Sequence, residues 1–211
     1  MSRAFEAFYQ EWLARQESLL LSVTPDGDEQ QQRMWIEQVL CHYQQFLEAK
    51  STVANHDVFL LFSPPWLSAY QTALLWIGDY KPSLIVRLVD GAVKDLTGEQ
   101  REQVERVRDE TKRAEREVSE AMAAVQESMA SPHMVGLVRL LHPDHQTALH
   151  GLKTALTKVF HRADELRAST MMKLLQIFTT PQTVQFLLAT IHFQKRLRNY
   201  SFHTDQVGPS Q

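Results

Sequence analysis

Between Ser2 and about Val23, the side chains Phe5, Phe8, Trp12, Leu13, Gln16, Leu19 and Leu20 recur at helical spacing, while Glu6, Glu11, Arg15 and Glu17 fall mostly on the other side. This pattern predicts an amphipathic helix with one heavily aromatic face. Thr24-Pro25-Asp26-Gly27-Asp28 ends it, since proline and glycine together mark a turn. A second helix is predicted from about Glu29 to Lys50, with Trp35, Ile36, Val39, Leu40, Tyr43, Phe46 and Leu47 as its buried stripe.

The middle of the chain is denser. Helix continues from Val53 to Phe62 and stops at Ser63-Pro64-Pro65, where two prolines remove two backbone donors. The pattern resumes from Trp66 to Trp76, with Gly78-Asp79 as a left-handed stop. Lys81-Pro82-Ser83 then opens a short helix through Leu84, Ile85, Leu88 and Val89 to Asp90-Gly91.

The longest predicted helix runs from Thr97 to about Ser131. Thr97 followed three residues on by Gln100 is a capping-box signature. Val104, Val107, Thr111, Ala114, Val118, Met122, Val125 and Met129 recur every three or four residues. Glu102 with Arg106, and Asp109 with Arg113, sit at supportive i, i+4 spacing. At about 1.5 Å per residue this helix reaches roughly 50 Å, longer than a small domain is wide. It is therefore expected to protrude, kink or pack against a partner. An interface there would use the seam of Val104, Val107, Val118, Met122 and Val125, with Trp12 on the first helix as a further contact.

Ser131-Pro132 and His142-Pro143-Asp144 bracket an irregular or short helical connection, after which His145 to about Phe178 forms another long helix. Thr180-Pro181 begins the last one, carrying Val184, Leu187, Leu188, Ile191 and Leu197 to about Tyr200. The tail over 203–211 is polar and expected to be disordered. The fold expected is all-α: one domain over 1–202, a multi-helix bundle with long helices and a proline-broken aromatic middle.

Composition narrows this further. The chain has 211 residues and is 44% hydrophobic, enough for a real core, yet it holds only seven glycines and eight prolines. Ordinary chains carry about 12% of the two together. A chain this poor in turn residues is ill suited to the many connections of a β-sandwich. The net charge is −3 and the pI near 6.3, which argues against a polyanion binder. The N-terminus lacks an apolar signal core, and no apolar run is long enough to span a bilayer. The expectation is a soluble intracellular protein.

Nine histidines invite chemistry. His142, His145 and His150 cluster with Asp144, and His161 lies eleven residues after His150, which returns to the same helix face. Histidine and carboxylate on one face are raw material for a metal or haem site. No recognised ligand motif accompanies them. The alternative is a loop, a cap and a surface His161 paired with Glu165. Charging all nine histidines would move the net charge from −3 to +6, making partner contacts pH-sensitive.

The single Cys41 excludes an internal disulfide and reads as a buried structural thiol, because the adjacent His42 points about 100° away around the helix. Lys195, Arg196 and Arg198 form either a small phosphate-binding patch or a favourable ending for the last helix. The aromatic set Phe59, Phe62, Trp66, Tyr70, Trp76 and Tyr80 is either core between short helices or the wall of an apolar pocket for a planar or lipid-like ligand. No nucleophile elbow, P-loop or dinucleotide fingerprint occurs.

Phe5, Phe8, Trp12 and Gln16, then Trp66, Leu75-Trp76-Ile77-Gly78 and Tyr80-Lys81-Pro82-Ser83, together resemble the plant delay-of-germination domain. The same domain forms the C-terminal half of TGA-type bZIP transcription factors. Later stretches agree: Ala163-Asp164-Glu165-Leu166-Arg167 with Thr170 and Met171, Phe178-Thr179-Thr180-Pro181-Gln182, Phe186-Leu187-Leu188-Ala189, and Arg196-Leu197-Arg198. The resemblance covers about Phe5 to Tyr200. It implies a non-enzymatic regulatory domain acting through protein contacts. TGA-like relatives use it to dimerise and to recruit transcriptional co-activators. The germination regulators bind type 2C protein phosphatases to enhance abscisic-acid responses and seed dormancy.

Without a basic region or zipper ahead of the domain, the chain is expected to be of the stand-alone class. It would be nuclear or cytoplasmic, free of autonomous DNA binding despite its bZIP relatives, with a homodimer as one arrangement. Some germination-type members bind haem through histidines of the last helix. The corresponding positions here are Gln194 and Arg198, with His192 nearby, so the family's ligand pair is not matched and no cofactor is expected. Relatives commonly carry a second glycine where this chain has Asp79.

Overall fold

The computed structural model describes residues 2–23, 27–130 and 145–206. Among these are eight helices and no named strand: α1 (Ser2–Ser22), α2 (Glu29–Asp57), α3 (Phe59–Phe62), α4 (Ala69–Ala73), α5 (Pro82–Ala92), α6 (Gly98–Met129), α7 (His145–Ile177) and α8 (Thr180–Gln206). The fold is an all-α multi-helix bundle.

Local chemistry places most helix starts. Asp28 accepts from the Gln31 N–H at 2.8 Å while Gln31 accepts from the Asp28 N–H, and Ser68 with Gln71 and Thr97 with Gln100 repeat this reciprocal cap. Pro82 occupies the first turn of α5, where a missing N–H costs nothing. The start of α5 receives further help: Ser83 N–H donates to the buried Glu115 carboxylate of α6 at 2.6 Å, which sets a negative charge against the positive helix end. The last helix begins one residue earlier than its Thr180-Pro181 signal suggests. The Gln182 side chain accepts from Thr179 N–H at 3.0 Å, so Thr179 precedes the first turn and Pro181 lies inside it.

Two elements depart from the expected pattern. The stretch 66–76 is helical only over α4, because Ser68 caps a short helix and the chain then turns at Leu74. The last helix extends through Gln206, so 203–206 belong to it and not to a disordered tail.

The long α6 finds its partner within the chain. Thr111 meets Thr170 at 3.2 Å, Lys173 pairs with Glu110 at 2.8 Å, and Gln100 donates to the Ile177 carbonyl at 2.9 Å. Residue numbers fall on α7 as they rise on α6, so the two form an antiparallel pair. Val104 and Val107 join one core with Trp35, Leu174, Phe186 and Ile191. Val118 joins another with Val159 and Ala163, and Met122 and Val125 pack partly buried on its flank.

The proposed partner seam is thus corrected. Its apolar residues were read correctly as a stripe, but α7 already covers them. Trp12 is likewise buried: its Nε1 donates to the His42 carbonyl at 3.0 Å, and its ring stacks on His42 and Phe46, each 4.5 Å away. Val118→Ala is expected to cost about 2 kcal/mol of stability through lost burial and a small cavity. A shifted urea midpoint with unchanged sedimentation would bear this out; unchanged stability with weakened self-association would restore the seam as an interface.

Candidate functional site

The buried stripe of α2 passes through Trp35, Val39, His42 and Phe46, and its next member in phase is Lys50. The lysine side chain is only 2% exposed. Its ammonium donates to Asp79 Oδ2 at 2.7 Å and Asp164 Oδ1 at 2.9 Å, and it lies over the rings of Phe46 and Phe160 at 5.2 and 5.6 Å. Arg167, one turn beyond Asp164 on α7, donates Nη1 to Asp164 Oδ1 at 2.6 Å. Two cations and two anions make the cluster neutral, the condition under which buried charge is tolerated. Burial alone would push the Asp79 carboxyl up, but Lys50 and Arg167 outweigh it and hold it below its ordinary value.

The rest of Arg167 fastens one turn of backbone. Its Nε donates to the Tyr80 carbonyl at 2.8 Å and its Nη2 to the carbonyls of Trp76 and Ile77, the latter at 3.0 Å, while the guanidinium lies 5.4 Å from the Trp76 ring centre. Trp76 and Asp79 close the turn through Trp76 N–H to Asp79 O at 2.7 Å. The two central residues, Ile77 and Gly78, have φ of 49° and 78°. Both lie in the left-handed region, the signature of a type I′ turn, which a β-branched residue adopts only under strain. Gly78 is therefore part of a tight reversal and not a helix stop.

Beside this cluster is a cleft of about 60 Å³, walled by Phe5, Tyr9, Trp12, Phe46, Trp66 and Tyr80. Gln194 and Arg198 close one side: Gln194 Oε1 accepts from Gln16 Nε2 at 2.6 Å and from the Tyr43 hydroxyl at 2.8 Å, and Arg198 donates to Gln16 Oε1 at 2.9 Å. Burial pushes the Tyr9 hydroxyl up to about 12 and raises those of Tyr43 and Tyr80 as well, so all three stay protonated at neutral pH. Ligand cavities usually run to about 300–1,000 Å³. The aromatic middle is accordingly mostly packing. Phe62, Trp66 and Trp76 join the cores, Tyr80 meets Phe193 edge-on at 5.9 Å, and Phe59 and Tyr70 are exposed.

The histidines do not converge. His142 lies outside the described residues, and His145 opens α7. His150 and His192 are exposed, and His161 meets Asn55 at 3.1 Å instead of Glu165. Among the described residues no group of three histidine, cysteine or acidic side chains is placed to hold a metal ion. Gln194 and Arg198, the two positions that the resemblance singled out on the last helix, are bonded to Gln16 and Tyr43.

Two other expectations need correction. Cys41 is exposed, and it is His42 that points inward. The α2 stripe moves by about 100° per residue, so one neighbour of a pair must turn out. Lys195, Arg196 and Arg198 lie well before the end of α8, and Lys195 pairs with Glu17 at 3.2 Å. Arg198 donates to Gln16, Arg196 is exposed, and all three stand at least two turns short of the helix end.

Burial, with Arg15 nearby, lowers the His42 pKa from 6.5 to about 4. The unfolded histidine then binds a proton that the folded one refuses. Its contribution to stability is full above pH 6.5 and is lost as pH falls toward 4. An NMR titration is expected to show His42 neutral at pH 5.5; an ordinary histidine midpoint would contradict the packing.

Sequence reading missed Lys50, for which a lysine in phase with an apolar stripe was the available signal, and it reached Gln194 only through the family resemblance, without its bonds to Gln16 and Tyr43.

Fold and site together define an all-helical domain that satisfies its buried charge internally and pins a strained turn with it. The chain belongs to the seed dormancy control (DOG1) family, whose model matches residues 5–91. It is 33% identical to Protein ZW2 of Arabidopsis thaliana over 94% of this chain and 96% of that protein. It is also 33% identical to Protein RESPONSE TO ABA AND SALT 1 of the same plant, over 94% and 95%. Transcription factor TGA7, also from Arabidopsis thaliana, is 29% identical over 94% of this chain but only 55% of its own length. Among the described residues no helix is long and apolar enough to cross a membrane.

Proposed function

We propose that this protein is a non-enzymatic regulator that acts through protein contacts in abscisic-acid, dormancy or related transcriptional responses, with a type 2C protein phosphatase or a transcriptional co-activator as partner. The observation that carries this reading is the end-to-end similarity to a relative named for its response to ABA and salt. The site's chemistry agrees: Lys50, Asp79, Asp164 and Arg167 are held by one another, and the cleft tyrosines stay protonated. Such groups brace a scaffold and are poorly placed for acid–base work at neutral pH.

Contact then falls to exposed helix surface. Leu21, 88% exposed at the end of α1, and Met34, 54% exposed on α2, flank the place where Trp35 Nε1 donates to the Leu19 carbonyl at 2.9 Å. Titration calorimetry with a type 2C phosphatase tests the reading, a co-activator serving as the second titrant. Saturable binding to one of them, weakened by Leu21→Asp with unchanged circular dichroism, is the expected result. Absence of binding to both, together with salt-sensitive binding of duplex DNA by the purified chain, would favour the nucleic-acid role of its bZIP relatives.

A further inference from the structure

Two large apolar side chains take no part in the cores of the bundle. Leu40 of α2 is half-buried and Met172 of α7 is 50% exposed, and among the described residues neither joins a core cluster. Both line one open groove of about 410 Å³, together with Ile36 and Leu175. The two helices that form it are antiparallel: residue numbers fall on α7 as they rise on α2, from Lys50 with Asp164 to Asn55 with His161. Ile36 and Leu40 stand one turn apart, as do Met172 and Leu175, so the floor is a pair of short apolar ridges. A trough between two such ridges is the geometry that receives a third helix.

The charges on the rim are not balanced. Arg33 is held by Glu29, to which it donates through Nε at 3.2 Å and Nη2 at 2.6 Å. Glu37, one turn further along α2, lines the groove and has no ion pair among the described residues. The opposite rim, formed by Gln176, Thr180 and Thr183, carries no charge. The one unanswered charge of the groove is therefore negative, in a chain whose net charge is −3.

We propose that this groove docks an amphipathic helix of a protein partner, which lays two apolar side chains one turn apart over Leu40 and Met172 and sets a lysine or arginine against Glu37. The docking rests on the protein-contact role proposed for the chain and gives the partner a defined chemistry. Its anchors are apolar because a polar group over Leu40 and Met172 would lose water and gain no partner. Its flank is cationic because an acidic segment or a nucleic acid would meet Glu37 with like charge. An unbranched methionine at the edge adapts to anchors of differing shape.

The experiment uses the full chain with methyl-labelled methionine and follows the methyl signals by NMR. One probe is a blocked helical peptide with two leucines one turn apart flanked by lysines; the other has glutamates in place of the lysines. The Met172 methyl is expected to shift saturably with the lysine peptide, while Met34, which lies beyond Arg33 around α2, stays in place. The glutamate peptide should bind roughly tenfold more weakly, since an attraction at Glu37 becomes a repulsion. Glu37→Lys should reverse that preference, and Met172→Asp should abolish peptide binding in titration calorimetry with unchanged circular dichroism. Equal binding of the two peptides, or a Met172 signal that does not move, would overturn the proposal. So would a dimer in sedimentation that Met172→Asp dissolves, since a second copy would then fill the groove. If the phosphatase and the co-activator both fail to bind while the lysine peptide still shifts Met172, the groove stands and the choice of partner falls.

Discussion

Lys50→Met is expected to destabilise the protein by about 3–5 kcal/mol, the cost of removing one partner from a buried ion cluster. The methionine fits the volume and keeps the contacts with Phe46 and Phe160, so the loss is electrostatic. It leaves Asp79 and Asp164 to share Arg167, whose Nη1 already serves Asp164. Adding Asp79→Asn restores neutrality, and the double variant should recover about 1–2 kcal/mol, within the coupling range for contacting charges.

The pH dependence supplies an independent readout. In the native protein Asp79 titrates below its ordinary 3.8, so its contribution is present above that value and is lost as pH falls through the lower folded pKa. In Lys50→Met, burial is opposed only by Arg167 and the Tyr80 N–H, and the carboxyl rises. The stability gap between the two proteins should therefore narrow on acidification. Urea midpoints from pH 7 to pH 4 measure it; a gap constant with pH would mean that Lys50 acts only through packing.

Gly78→Ala is expected to cost about 2–4 kcal/mol, combining left-handed backbone strain with overpacking. At φ 78° an added Cβ would stand 2.5 Å from Phe160 Cε2 and 2.9 Å from its Cδ2. The ring cannot step aside, because Phe160 is fully buried and lies under the Lys50 ammonium. Gly151→Ala provides the opposite sign. It lies inside α7 with nothing within 4 Å of its would-be Cβ, and should gain about 0.5–1 kcal/mol from helix propensity. Thermal unfolding of the two variants in parallel decides the matter. If Gly78→Ala proved neutral, the tight reversal at Trp76–Asp79 would not be the conformation that the protein holds.

The residues that carried the family resemblance prove to be those that hold one another. Trp76 to Tyr80 form the strained turn, and Asp164 and Arg167 are its clamp. Both stretches stood out in the sequence, 87 positions apart for Tyr80 and Arg167, yet nothing in either announced the other. Glu115 is a similar case: within α6 it reads as one charge among many, and only the approach of α5 gives it the Ser83 N–H.

Helix positions, caps and apolar stripes were legible in the sequence because they depend on spacing within one turn of chain. The stripes of α2, α6 and α7, the Thr97 cap and the opening of α5 at Pro82 all follow from local sterics and hydrogen bonding. What covers a stripe does not. An apolar seam from Val104 to Val125 is the same in sequence whether a second protein or α7 buries it, and only the tertiary structure chose α7. The same holds for Cys41 and His42: periodicity marks that region of α2 as facing the core, but a difference of one residue in phase depends on where α1 lies. Buried charge was least legible of all, because a lysine is tolerated inside only when carboxylates from distant turns meet it there.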